Sequence, residues 1–116
     1  MTADEVWGEV EALQGLSLRT IERRLSFRVV AVTETHIVLA PEASSKERSI
    51  SRDAIQKTFD ELFRRRELSA PAVSEKVGEA CSSYVVTILA TLPNVAVCRK
   101  PMRLIYNGLQ LFYLQR

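Results

Sequence analysis

Apolar residues recur at two different periods along this chain, and the change of period marks out its elements. Val6, Trp7, Val10 and Leu13 fall at i, i+1, i+4 and i+7, the stripe of a helix over about residues 3–14. Glu5, Glu9 and Glu11 occupy its other side, and Thr2 or Asp4 can cap its start. Trp7 is expected to anchor this helix in the core. Gly15 ends it. Residues 16–50 then shift to extended patterning. Leu18 to Ile21 predicts a short strand. Phe27, Val29, Ala31 and Thr33 alternate with Arg28, Val30 and Val32, which predicts a second. His36 to Ala40 forms a β-branched run after a Glu34-Thr35 turn, and Lys46 to Ser51 alternates polar and apolar positions. Together these predict a small antiparallel meander of three or four strands.

The helical period returns at Ser51, a good N-cap. Ile55, Phe59, Leu62 and Phe63 stripe a helix over about residues 52–66. It closes on Arg64, Arg65 and Arg66, cations where the helix dipole is negative. Ser69 caps a short helix over residues 70–77, with Pro71 in the first turn. Gly78 makes a turn. Ser82 or Ser83 is expected to cap the next helix, about residues 82–92, with Val85, Ile88, Leu89 and Leu92 facing inward. Pro93-Asn94 ends it. Residues 95–98 and 103–106 read as strands, and Asn107-Gly108 between apolar runs is a hairpin signal. The expected class is α+β. An N-terminal helix and small antiparallel β-meander (residues 1–50) pack on a C-terminal unit (residues 51–116) as one compact body.

Composition bounds the chemistry. The chain has 116 residues, 47% of them hydrophobic and 26% charged, ordinary for one globular domain. Cys81 and Cys98 lack CxxC spacing, so they read as reduced thiols and suggest no metal or redox centre. The start carries neither a basic nor an apolar leader segment, and no run is long enough to span a bilayer, so a cytoplasmic location is expected. Catalysis finds little support. His36 is the single histidine, the acids are scattered, and no phosphate-binding glycine loop occurs. No cofactor or metal is expected, and the chain reads as no enzyme.

Charge is uneven. Residues 1–50 carry six Lys/Arg against eight Asp/Glu, giving −2, and residues 51–116 carry ten against six, giving +4. From Ala80 onward there are four basic residues and no acid. A locally basic face matters more to a phosphate backbone than the overall +2. Arg19, Arg23, Arg24 and Arg28 either extend this basic surface or pair with Glu22 and the N-terminal glutamates.

The order of helices from residue 51, the Gly78 turn and the following hairpin resemble the winged helix-turn-helix superfamily. The resemblance covers about half the chain and rests on the pattern of elements. It implies a non-enzymatic protein that binds DNA, with residues 82–92 as the helix nearest the major groove. It implies a wing at residues 95–106, tipped by Arg99-Lys100-Pro101-Met102-Arg103, or at the Asn107-Gly108 hairpin. The outward positions of that helix, Ser83, Tyr84, Val86, Thr87, Ala90 and Thr91, include none of the Arg, Lys, Asn or Gln that read base edges. Phosphate-dominated binding of duplex DNA is therefore the expected form, through Arg64, Arg65, Arg66, Lys76, Ser82, Ser83, Thr87, Arg99, Lys100 and Arg103. The alternative is a protein-protein interaction module. It would use the mild face of Tyr84, Val86 and Ala90, together with a C-terminal strand over residues 109–114 that is apolar on both sides. Pairing of that strand around Phe112 would give a homodimer.

Overall fold

A computed structural model describes residues 1–44 and 46–107. The first helix, α1 (Ala3–Glu11), starts on a reciprocal cap. The Thr2 hydroxyl accepts from the Glu5 N–H (3.2 Å), and the Glu5 carboxylate accepts from the Thr2 N–H (2.9 Å). Val6, Trp7 and Val10 are buried, as their spacing predicts. Trp7 donates its indole N–H to the Thr33 carbonyl (2.9 Å), which ties the helix to the meander. Gly15 turns the chain at φ 86°, a conformation that favours glycine, and its N–H bonds the Val29 carbonyl (2.8 Å).

Four antiparallel strands follow: β1 (Ser17–Arg19), β2 (Ser26–Val32), β3 (His36–Pro41) and β4 (Arg48–Ser51), in spatial order β1-β2-β3-β4. Phe27, Val29, Ile37, Leu39 and Ile50 point into the core. Of the alternating set Phe27, Val29, Ala31 and Thr33, only the first two are buried. An irregularity between Val29 and Ala31 resets the register, so that Ala31 pairs with Val38.

Ser51 caps α2 (Arg52–Arg65), accepting from the Ala54 N–H (3.0 Å). Ile55, Thr58, Phe59 and Leu62 are buried, whereas Phe63, expected on the same stripe, is 41% exposed. Phe63 lies in the last turn, where it meets Tyr106 edge-on (5.1 Å between ring centroids) and carries the Arg66 guanidinium at 4.7 Å. Arg66 ends the helix in the left-handed region (φ 67°).

The next three residues form a strand that periodicity does not predict, β5 (Glu67–Ser69). Ser69 then caps α3 (Ala70–Val77), and Gly78 both closes α3 and opens α4 (Glu79–Ala90). The expected cap at Ser82 or Ser83 is not used. Both serines lie inside α4, and the Ser82 hydroxyl donates to the Glu79 carbonyl (3.2 Å). Strands β6 (Val95–Cys98) and β7 (Arg103–Tyr106) form a hairpin whose tip is residues 99–102. The second sheet has the order β5-β7-β6, so β7 is paired along both edges. The expected hairpin at Asn107-Gly108 and the strand over residues 109–114 lie outside the described residues.

The fold is α+β, with four helices and two antiparallel sheets. One continuous core joins both halves, from Val6 and Phe27 to Leu89 and Leu104. Among the described residues no helix is long and apolar enough to cross a membrane.

Candidate nucleic-acid interface

Helix α4 covers most of the segment expected to lie nearest the major groove, and it is buried on nearly every side. Tyr84, Val85, Val86, Thr87, Ile88 and Leu89 form an unbroken buried run. An amphipathic surface helix would expose one face, whereas a helix apolar all round belongs inside. The meander covers Tyr84: Phe27 meets it edge-on at 5.0 Å and 76°, and Arg48 lies 5.9 Å from its ring. The outward face expected at Tyr84, Val86 and Thr87 is therefore a packing face. Thr87, expected to touch phosphate, is 6% exposed and donates its hydroxyl to the Ser83 carbonyl (2.8 Å). The same burial removes Tyr84 and Val86 from any protein-docking face of this helix.

Several expected cations are already neutralised within the fold. Arg64 pairs with Glu61 one turn away, and Lys76 reaches the other oxygen of the same carboxylate (3.2 Å). The Glu61 side chain is only 13% exposed. The hydrogen bond from Lys76 is the largest influence on its carboxyl and, helped by the charges of Arg64 and Lys76, holds it below the ordinary glutamate range against the opposing effect of burial. Arg103 pairs with Glu67 across neighbouring strands. Arg66 stacks on Phe63 and Tyr106. Of the triplet 64–66, this leaves Arg65, exposed beside Glu67 and Ser69.

Arg99 and Lys100 stand apart from this pattern. Both are exposed on the β6–β7 tip, and neither forms an ion pair among the described residues. Their neighbour Met102 lines a cavity of about 150 Å³. Ser82, Ser83 and Val86 of α4 supply its floor, Ala70 opens α3 beside them, and Ile21, Glu22 and Arg23 form a wall from the β1–β2 turn. The structure thus gathers Ser82, Ser83 and the tip at one place, sets Arg64 and Lys76 in ion pairs elsewhere, and holds Arg103, at the base of the tip, against Glu67. Arg23 is the member that sequence reasoning left undecided. Its position depends on how the meander docks over α4, and no local pattern records that docking.

A second, polar hollow is lined by Glu34, His36, Arg52, Asp53 and Gln56. Two of its charges are engaged: Arg52 with Asp4 (3.1 Å) and Asp53 with Lys57 (3.1 Å). His36 Nδ1 lies 2.8 Å from the Thr35 hydroxyl, and no carboxylate joins them as a triad. Among the described residues no three His, Cys, Asp or Glu side chains gather as metal ligands would. Cys81 and Cys98 are half-buried free thiols. Comparison with protein-family models, with curated proteins and with solved structures finds no match to this chain.

Proposed function

We propose that this protein is a non-enzymatic nucleic-acid-binding module that grips duplex DNA through its phosphates. The observation that carries the reading is the β6–β7 tip, where Arg99 and Lys100 are exposed, with no ion pair among the described residues, beside a cavity lined by Ser82 and Ser83. Element order supports it as well. The run α2–β5–α3–α4–β6–β7, with sheet order β5-β7-β6, suits a winged helix-turn-helix unit over residues 51–116. With α4 covered by the meander, such a unit would use its hairpin instead of its third helix. Phosphate contact needs no base edge, so the lack of Arg, Asn or Gln on α4 is no obstacle.

The test is a binding titration with random-sequence duplex. Wild-type protein is expected to bind at ~50 mM salt and to lose affinity steeply towards ~200 mM. The double substitution Arg99→Glu, Lys100→Glu should abolish binding while leaving the thermal transition in place. Failure of the wild-type protein to bind at ~50 mM salt would sink the proposal.

One observation favours a protein-docking module as the second reading. Phe63 is 41% exposed beside Tyr106, an aromatic pair open to solvent at the end of α2. Light scattering should then report a dimer that Phe63→Glu disperses. A monomer at all concentrations would count against self-association through this patch.

A further inference from the structure

The β1–β2 hairpin holds four arginines, Arg19, Arg23, Arg24 and Arg28, all exposed, with Glu22 as its single acid. None of the four makes an ion pair among the described residues. Elsewhere Arg52, Lys57, Arg64, Lys76 and Arg103 sit against carboxylates, whereas Arg99 and Lys100 of the β6–β7 tip share the hairpin's lack of an ion pair among the described residues. Glu42 comes near through its backbone, its N–H bonding the Ser26 carbonyl (3.0 Å), yet its carboxylate is in no ion pair either.

Register places these charges. Leu18 pairs with Phe27, and Phe27 is fully buried, so Ser17, Arg19, Ser26 and Arg28 share the outer face of the sheet. Arg19 opposes Ser26, which makes Arg19 and Arg28 diagonal neighbours, about 7–8 Å apart in a regular antiparallel pair. The turn beyond them is firmly closed. Thr20 accepts the Leu25 N–H on its hydroxyl (2.9 Å) and the Arg24 N–H on its carbonyl (3.0 Å), and it donates its own N–H to Leu25 (2.9 Å). Arg24 is thereby held in the left-handed region at φ 56°. Like charges arranged this way repel, and an anion laid along them relieves the repulsion. Arginine suits phosphate in particular, because its planar fork donates two parallel hydrogen bonds.

We propose that this hairpin is a second phosphate-binding prong, facing the β6–β7 tip across the cavity they share, with a nucleic-acid backbone contacting both. The inference rests on the nucleic-acid reading and extends it to residues 1–50. The shared cavity supplies the geometry: Ile21, Glu22 and Arg23 form one wall, and Met102, next to the Arg99–Lys100 pair, lies on the other side. The meander therefore both covers α4 and replaces it as the contact surface.

Fluorescence anisotropy with a labelled random duplex, read across ~50–200 mM salt, tests this. Changing Arg19, Arg23, Arg24 and Arg28 together to Gln should weaken binding roughly tenfold or more and flatten the log–log salt slope by at least about one unit. The matching Arg→Lys set keeps the charge and should retain most of the slope. Glu22→Gln removes the hairpin's own acid and should tighten binding, an outcome that stands even if the four-fold Gln variant does not fold. Wild-type affinity and slope in the folded Gln variant, with binding still lost in the Arg99→Glu, Lys100→Glu variant, would overturn the second prong and leave the first standing. Absence of binding by the wild-type protein would overturn both. Competition by poly-glutamate as effective, charge for charge, as that by DNA would assign the prong to an acidic protein and overturn the nucleic-acid inference.

Discussion

Phe27 of β2 meets Tyr84 of α4 edge-on, their ring centroids 5.0 Å apart, and this contact joins the meander to the helix that would otherwise face solvent. Phe27 is fully buried and Tyr84 nearly so. Phe27→Ala should cost about 3–5 kcal/mol, as large aromatic truncations in packed cores do. A double-mutant cycle with Tyr84→Ala should return a coupling of roughly 0.5–1.5 kcal/mol beyond simple area loss. Urea denaturation measures both, and strict additivity would mean that the rings are neighbours without interaction.

Arg66 combines two effects that substitution separates. Its guanidinium lies over Phe63 and Tyr106, and its backbone ends α2 at φ 67°. Arg66→Ala and Arg66→Gly lose the same stacking, but only glycine accepts the left-handed conformation without a Cβ clash. The Gly variant is expected to be about 1 kcal/mol more stable than the Ala variant in chemical denaturation. Equal stabilities would place the helix end in another conformation.

Glu61 makes an acid-side prediction. Lys76 and Arg64 depress its folded titration below the ordinary carboxylate range. A depressed folded pKa gives stability that is present above the unfolded value and is lost as pH falls through the folded one. Thermal melts of wild type and Glu61→Gln should therefore differ most near pH ~7 and converge towards pH ~3. A gap that is constant with pH would show that the loss is one of packing and not of charge.

Local rules read much of the fold from the sequence. Ser51 and Ser69 cap helices where their spacing places them, and the stripe Val6, Trp7, Val10 is buried as its period requires. The misses share one cause, which is non-local packing. Residues 67–69 are too short to show a strand period, and they become β5 only because β7 offers an edge. Ser82 and Ser83 resemble caps, yet α4 starts at once after Gly78 and absorbs them. Phe63 fits the helical stripe, but it lies in the last turn of α2, past the buried Leu62, and packs on Tyr106 and Arg66 instead of the core. The site follows the same division. Exposed Arg99 and Lys100 were visible as charges, whereas the loss of Thr87 to the core follows from tertiary packing around α4 that no local pattern records.

The enclosure of α4 carries a warning for mutational surveys. Residues 84–89 contact packed neighbours on every side, so a scan of all substitutions should show a continuous intolerant segment there. On an open helix of this kind such a segment would outline a ligand footprint. Here intolerance records the assembly of the interior, while the exposed cations of the β1–β2 and β6–β7 hairpins stand where most single changes leave the fold intact.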